Sequence, residues 1–272
     1  MFPTNFGFTW TPGVMFFLGA FYTVLLVVLT TVSMSFYRAW QSKRTANVDS
    51  LRWKEEFHDL PKYDRHCRHE FTGEFRERVC ENTFDCRSCQ MHGTVVALRT
   101  DTADIGEEQY GMSIPADRLY HRGHTWVRTE GRGEYTIGLD DLGTRMIGKA
   151  DSMALPEVGS KLTANGPGWW ATRSGIDVRV LAPMDGVVTA VGTAADDWVL
   201  KIRNEHADLR HLLEPREAGP WILREMERLQ LAMTEDGMAA SLADGGVPSE
   251  DLPKSCPKAN WPSVWGQMFL ES

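Results

Sequence analysis

The most constraining feature of the sequence is its beginning, because Met1 to Tyr37 contains no Asp, Glu, Lys or Arg. Within it, the run VMFFLGAFYTVLLVVLTTVSM at 14–34 is apolar apart from a few Thr, Ser and Tyr residues. A helix needs about 20 such residues to cross a membrane. A cleaved signal peptide would have a basic start and a shorter apolar core. The sequence therefore predicts one transmembrane helix, with a buried helix of a soluble protein as the alternative.

The residues that flank this run predict its orientation. The flanking aromatic residues, which are typical of membrane interfaces, are Phe8, Trp10, Tyr37 and Trp40. The basic residues near the run all follow it: Arg38, Lys43, Arg44, Arg52 and Lys54. Cytoplasmic loops carry the excess of basic residues, so we expect the N-terminus outside and the rest of the chain in the cytoplasm. The predicted location is a bacterial-type inner membrane, crossed once.

Composition divides the 272 residues into four parts. We expect a transmembrane anchor at 1–40 and a charged neck with a cysteine-rich segment at 41–114. A β-domain at 115–233 and a linker with an aromatic docking tail at 234–272 follow. The net charge of −8 disfavours a nucleic-acid partner, since such proteins usually present a basic surface.

Four of the five cysteines cluster in the second part, at Cys67, Cys80, Cys86 and Cys89, beside His69 and His92. The predicted cytoplasmic location argues against disulfides. Four Cys or His ligands suit a structural zinc ion, and Cys86-x-x-Cys89 has the spacing of the tight half of such a site. An iron–sulfur cluster also takes four thiolates, and four free thiols remain the third interpretation. Zinc is preferred, and His69 or His92 could replace one cysteine.

The β-domain shows strand patterns and one C-terminal helix. HTWVRTEGRGEYTIGLDDLG has two alternating runs around 130–133, as in a hairpin. DVRVLAPMDGVVTAV has two more around the turn residues 183–186. In GPWILREMERLQLAM the apolar residues Ile222, Met226, Leu229 and Met233 share one helical face, and Pro220 is expected to precede the helix.

These blocks resemble the glycine cleavage system H protein over about 110 residues, from Asp117 to Leu231. HRGHTWVRTEG, the LPEVG turn, VLAPMDGVV and the closing strand DWVLKIR carry the resemblance. It implies a mainly β barrel-sandwich hybrid of the lipoyl type with a C-terminal helix, here preceded by one transmembrane helix and a cysteine-rich segment. It also implies that His124 begins a strand, where a structural role is favoured over metal ligation.

The resemblance fails at the residue that carries the family's chemistry. In that family a lysine at a hairpin tip, eight residues before the turn proline, carries lipoate. Eight residues before Pro183 stands Gly175, and no lysine occurs between Lys161 and Lys201. Because attachment needs a lysine amine, no lipoate is expected.

Exposed aromatic residues are frequent anchors of protein interfaces. Trp169, Trp170, Trp261, Trp265 and Phe269 are therefore predicted to bind partner proteins, with core packing as the alternative. The tail is expected to dock on a partner and not on its own β-domain.

The predicted function is that of a non-catalytic, membrane-anchored accessory subunit of a larger respiratory or photosynthetic electron-transfer complex. Its partners would be the membrane and the integral and peripheral subunits of that complex. One alternative is a small electron-transfer subunit with an iron–sulfur cluster at the four cysteines. The other is a lipoyl carrier of glycine cleavage with an unconventional attachment residue.

Overall fold

The computed structural model describes residues 11–42, 47–98, 108–109, 111–193, 196–234 and 248–271. These residues divide into two compact units, Met1–Val48 and Asp49–Ser272. The division does not test the predicted boundaries at 40, 114 and 233, which stay predictions. Parts of the predicted linkers, at 99–107 and 235–247, lie outside the described residues.

Among its described residues, the first unit contains helix α1, Pro12–Ser42, and the first two residues of α2. Its segment Pro12–Met34 has a mean hydropathy of 2.3 and is not buried against other parts of the protein. The hydroxyls of Thr23 and Thr30 donate to the carbonyls of Gly19 and Leu26, at 2.7 and 2.8 Å, so they do not remain unpaired on an apolar surface. The helix is long and apolar enough to cross a membrane, as the sequence predicts. The predicted flanking residues Phe8, Trp10, Lys43 and Arg44 lie outside the described residues, as do the side chains of Tyr37, Arg38 and Trp40.

The second unit begins within α2 and contains most of the secondary structure. Its helices are α2 (Asn47–Asp59), α3 (Arg68–Phe71), a 3₁₀ turn (Cys86–Ser88), α4 (Gln90–Leu98), α5 (Asp141–Ile147), α6 (Pro215–Thr234), α7 (Leu252–Ser255) and α8 (Trp261–Met268). Its strands are β1 (Glu108–Gln109), β2 (Met112–Ser113), β3 (Arg118–His121), β4 (Thr125–Gly131), β5 (Glu134–Leu139), β6 (Ser152–Ala154), β7 (Lys161–Leu162), β8 (Pro167–Arg173), β9 (Ile176–Leu181), β10 (Gly186–Val191) and β11 (Leu200–Arg203).

Two antiparallel sheets supply most of the β structure. One has six strands in the order β3-β4-β5-β11-β10-β7, and the other has three in the order β6-β8-β9. Trp126 and Ile137 of the larger sheet and Trp169 and Val180 of the smaller are almost fully buried in one core. This agrees with the predicted mainly β fold. Residues 130–133 do join a hairpin, β4–β5, whereas the turn at 183–186 passes the chain from the smaller sheet to the larger.

The C-terminal helix of the β-domain begins earlier than the sequence predicts. Helix α6 starts at Pro215, so Pro220 lies inside it. The side chain of Glu217 accepts a hydrogen bond from the backbone N–H of Glu214 at 2.9 Å, which is half of a capping box. Pro215 therefore occupies the first helical position, where the missing N–H costs nothing. The prediction that Pro220 precedes the helix is wrong.

The predicted neck is more than a connection, because α2 packs on the β structure. Trp53 and Phe57 are buried with Phe84 and Leu181 in a second, smaller apolar cluster. The guanidinium of Arg179 on β9 donates two hydrogen bonds to the Glu56 carboxylate, at 3.0 and 2.8 Å. Helix α2 thus covers part of the three-stranded sheet.

Candidate functional site

The hairpin β8–β9 ends in a two-residue turn made by Ser174 and Gly175. Both residues have positive φ, 52° and 78°, and the strands pair up to Arg173 and Ile176 on either side. Two successive positive φ angles match the right-handed twist of a hairpin, and glycine adopts the second without steric cost. The tip therefore presents neither a lysine nor any other amine side chain.

Arg173 ties this tip to the C-terminal segment. Its guanidinium donates to both oxygens of the Asp251 carboxylate, at 2.9 and 3.1 Å, and to the carbonyls of Ile147 and Lys149. Asp251 also accepts from the backbone N–H of Lys254 at the start of α7. Both bonds to the carboxylate come from Nη2, while Nη1 donates to the two carbonyls, so the whole guanidinium is held in place. The hairpin is thereby fastened to the segment that follows residue 247.

The aromatic tail packs on its own domain, which corrects the docking prediction. Trp261, Trp265 and Phe269 are buried in the main core, and Phe269 is fully inaccessible. The indole N–H of Trp265 donates to the carbonyl of Met146 at 2.9 Å. Trp261 and Trp265 lie four residues apart on one face of α8, and Phe269 follows as its C-cap residue, so the three side chains complete the core. They are therefore not available as partner anchors.

The adjacent tryptophans of β8 have different surroundings. Trp169 is fully buried in the core, so its predicted role in partner binding is wrong as well. Trp170 is 40% exposed and is paired with Ala154 on the neighbouring strand β6. Successive strand residues point to opposite faces, which explains the contrast. Of the predicted anchors only Trp170 has a substantially accessible side chain, and its role stays a prediction.

The four clustered cysteines line one cavity, together with His69 and His92. An isolated antiparallel bridge between His66 and Val79 brings Cys67 and Cys80 to the same side of two short segments. The 3₁₀ turn, closed by the bond from the N–H of Cys89 to the carbonyl of Cys86 at 3.2 Å, supplies the other two. No disulfide joins these four cysteines, and all four are partly buried. The structure thus brings together four cysteines whose separations in the sequence are 22 residues or less.

Two arginines outside the predicted ligand set flank these thiols. Arg68 hydrogen-bonds to Cys86, pairs with the buried carboxylate of Glu217 on α6 and donates to the carbonyl of Arg210 at 2.6 Å. Arg122, in the β3–β4 turn, lies 4.0 Å from the ring centre of Phe84 and donates to the carbonyl of His66 at 2.6 Å. Burial raises the pKa of the Cys67 and Cys86 thiols, and the charge of Arg122 acts in the opposite direction. The position of Arg68 next to Cys67 was the only signal in the sequence for this arrangement.

His69 and His92 are engaged with each other. The Nε2 of His69 lies 3.1 Å from the Nδ1 of His92, and the rings stack with their centres 5.2 Å apart. Across the residues that the structure describes, no three His, Cys, Asp or Glu side chains are arranged, as they stand, to hold one metal ion. The structure therefore does not choose between zinc, an iron–sulfur cluster and free thiols. The predicted metal ligands stay predictions.

Comparisons of the sequence with known proteins identify the β-domain. The family model for the glycine cleavage H-protein matches residues 118–206. Residues 118–206 form an H-protein-like domain. The glycine cleavage system H proteins of Salmonella arizonae and Escherichia coli O45:K1 are each 28% identical over 116 residues, which are 38% of this chain and 90% of the relative. A crystal structure of a glycine cleavage system H protein from Mycobacterium marinum aligns with 39% of this chain and 96% of its own, at 23% identity and a TM-score of 0.34.

The H-protein-like domain covers only part of the chain. Helix α1, α2 and the cysteine-rich segment precede the matched residues, and the segment at 248–271 follows them. Both flanking parts of the second unit contact the domain, through Glu56 with Arg179 and through Asp251 with Arg173. The flanking segments therefore extend the domain's packed structure.

Proposed function

We propose that this chain is a membrane-anchored accessory subunit, without catalytic activity of its own, whose H-protein-like domain binds proteins and carries no lipoate. The observation that carries the proposal is the hairpin tip, where Ser174 and Gly175 form the turn and Arg173 is held by Asp251. An amide to lipoic acid needs a free lysine amine, whereas a guanidinium stays protonated in proteins. H-protein-like domains are themselves carriers and not catalysts, which is consistent with the absence of a catalytic role.

Helix α1 supports the anchoring part of the proposal. It offers an apolar segment of 23 residues, Pro12–Met34, and the basic residues near it in the sequence follow it. Within this proposal the anchor lies in a bacterial-type inner membrane and the H-protein-like domain faces the cytoplasm. We further propose a respiratory or photosynthetic electron-transfer complex as host, because an anchor, a carrier-type fold and a cysteine cluster suit such an assembly.

Trp170 is the contact residue that we propose for a partner protein. Its side chain is 40% exposed on β8, while its neighbour Trp169 is held in the core. A partly exposed tryptophan on a rigid strand offers a large apolar surface that loses little conformational freedom on binding.

Purification of the tagged full-length chain from native membranes tests this function. We expect stoichiometric co-purification of membrane-complex subunits, and a clear loss of them in Trp170→Ala. Leu231→Ala is the matched control, because Leu231 is also exposed, at 63%, but lies on α6. Recovery of the wild-type chain alone, or equal recovery of partners in the two variants, would show that the proposal is wrong.

A further inference from the structure

The cysteine cavity is built from two local structures, each of which presents a pair of thiols. Cys67 and Cys80 flank the bridged residues His66 and Val79, with the N–H of Cys67 bonded to the carbonyl of Arg78 at 2.8 Å. Cys86 and Cys89 flank a 3₁₀ turn. Two thiols from a pair of short extended segments and two from a tight turn are a common way to supply four ligands to one ion.

The enclosed part of this cavity is small. Its volume is about 20 Å³, which accommodates one water-sized occupant. Cys67, Cys80 and Cys89 also line a neighbouring, wider cleft that is open to solvent. The size of the enclosed space favours a single ion over a cluster of several iron and sulfur atoms.

The positive charge of Arg122 beside the cavity favours a centre whose thiolates and bound ion together carry a net negative charge. Arg122 packs on the rings of Phe84 and Phe71, 4.0 and 5.0 Å from their centres. Among the residues that the structure describes, no carboxylate forms an ion pair with it, but the thiols of Cys80, Cys86 and Cys67 and the carboxylate of Glu225 lie within electrostatic range of it. Arg122 is partly buried, so a negative charge in the cavity would interact favourably with its guanidinium.

We propose that Cys67, Cys80, Cys86 and Cys89 bind one zinc ion as a four-coordinate structural centre. Four thiols lose four protons to solvent as the ion binds, and the resulting tetrathiolate centre carries a net charge of −2. That charge would interact favourably with the guanidinium of Arg122, whereas two disulfides would be neutral. As the thiols stand they do not form a ligand set for one ion, so reorientation of the side chains is part of binding.

His69 and His92 are outside the proposed ligand set. Their mutual contact of 3.1 Å occupies one ring nitrogen of each, and their stacked rings form part of the cavity wall. We assign them to packing beside the ion.

The zinc centre would hold the cysteine-rich segment on the H-protein-like domain. Arg68 beside Cys67 pairs with Glu217 on α6, and Arg87 beside Cys86 donates to Asp185 at 2.9 Å. Both contacts depend on the course of the short segments that carry the thiols. This role does not depend on whether the domain binds a partner protein.

Elemental analysis of the full-length chain, purified in detergent under anaerobic and reducing conditions, tests the proposal. We expect one zinc per chain, its loss in Cys86→Ser and its retention in the matched control Cys256→Ser. Cys256 is buried, lies far along the sequence from the four clustered cysteines and is the C-cap residue of α7. Cobalt(II) introduced in place of zinc should give the absorption of a tetrahedral thiolate complex, which keeps the test valid if Cys86→Ser does not accumulate.

Three results would overturn the assignment. Iron with acid-labile sulfide would replace the single ion by a cluster and support iron–sulfur electron transfer. A metal-free wild-type chain, with or without disulfides among these cysteines, would remove the site. Equal zinc in Cys86→Ser and Cys256→Ser would place the ion elsewhere.

Discussion

At the scale of single residues, His124 shows how a buried charge is held in the core of this domain. Its Nδ1 lies 3.1 Å from the Asp140 carboxylate and its Nε2 3.7 Å from that of Glu225, and its ring stacks on Trp221. Burial alone would lower the pKa of His124, but the two carboxylates raise it to about 9. The imidazole is therefore charged in the folded protein at neutral pH.

This pKa predicts a pH dependence of stability. An unfolded histidine has a pKa of about 6.5, so the folded state binds the extra proton between about pH 6.5 and 9. The stabilisation by His124 is complete below that range and is lost as the pH rises through 9, by an amount of the order of 3 kcal/mol. Denaturant unfolding of the wild-type chain across this range measures it. His206→Gln, at an exposed histidine, should keep the same slope, and a flat wild-type profile would contradict the assignment.

The role of His124 was predictable from sequence only in outline. The resemblance placed His124 at the start of a strand, whereas the structure places it one residue before β4, with a φ of 61°. Its burial beside two carboxylates agrees with the expected structural role. Its second carboxylate, Glu225, comes from a distant helix, and no local pattern pairs residues so far apart. The same limit applies to Arg122, whose approach to the cysteines depends on the tertiary packing of two segments.

At the scale of elements, the C-terminal helix α8 belongs to the core. Trp261, Val264, Trp265 and Met268 lie on its buried face, and Arg228 of α6 donates to the carbonyl of Gln267 at 2.9 Å. The sequence reveals the aromatic residues but not which surface they cover, because apolar residues suit a partner's groove as well as the chain's own core. The intervening residues 235–247 gave linker composition, which led to the incorrect docking prediction.

Truncating a side chain on this buried face of α8 should destabilise the domain. Trp265→Ala removes a large side chain from the core and leaves the carbonyl of Met146 without its donor, so we expect a loss of about 3–5 kcal/mol in the free energy of unfolding. Ser263→Ala, on the exposed side of the same helix, should change it by less than about 0.5 kcal/mol. Chemical denaturation of the two variants measures the difference. Equal stabilities would show that α8 does not belong to the core.

At the scale of the whole molecule, much of the organisation follows from sequence. The hydropathy of the N-terminal run predicts α1, and the alternation of apolar and polar residues predicts the strands. The absence of a lysine near Gly175 indicates that the hairpin tip differs from that of the H protein. The contacts that join these parts, such as Arg173 with Asp251 and Arg179 with Glu56, combine residues from separate segments and become visible only in the structure. They make the neck and the tail part of the unit that holds the H-protein-like domain.

The proposed orientation predicts which side of the membrane this unit occupies. Protease added to intact spheroplasts should leave the H-protein-like domain uncut, because the basic residues after α1 retain it inside. The same protease should digest it in inverted vesicles, and detergent-opened spheroplasts control for intrinsic resistance. Digestion in intact spheroplasts would reverse the orientation.

The central claim is that this H-protein-like domain has no lipoyl arm, and intact-mass spectrometry of the chain purified from its native membranes tests it most directly. The account predicts one species without a lipoyl adduct, including after incubation with lipoate, ATP and lipoate ligase, while an authentic H protein treated in parallel gains the adduct. The reason is that Ser174 and Gly175 occupy the tip and the nearest lysines of the flanking sequence are Lys161 and Lys201. A lipoyl adduct on any lysine of the domain in the native chain would contradict the account.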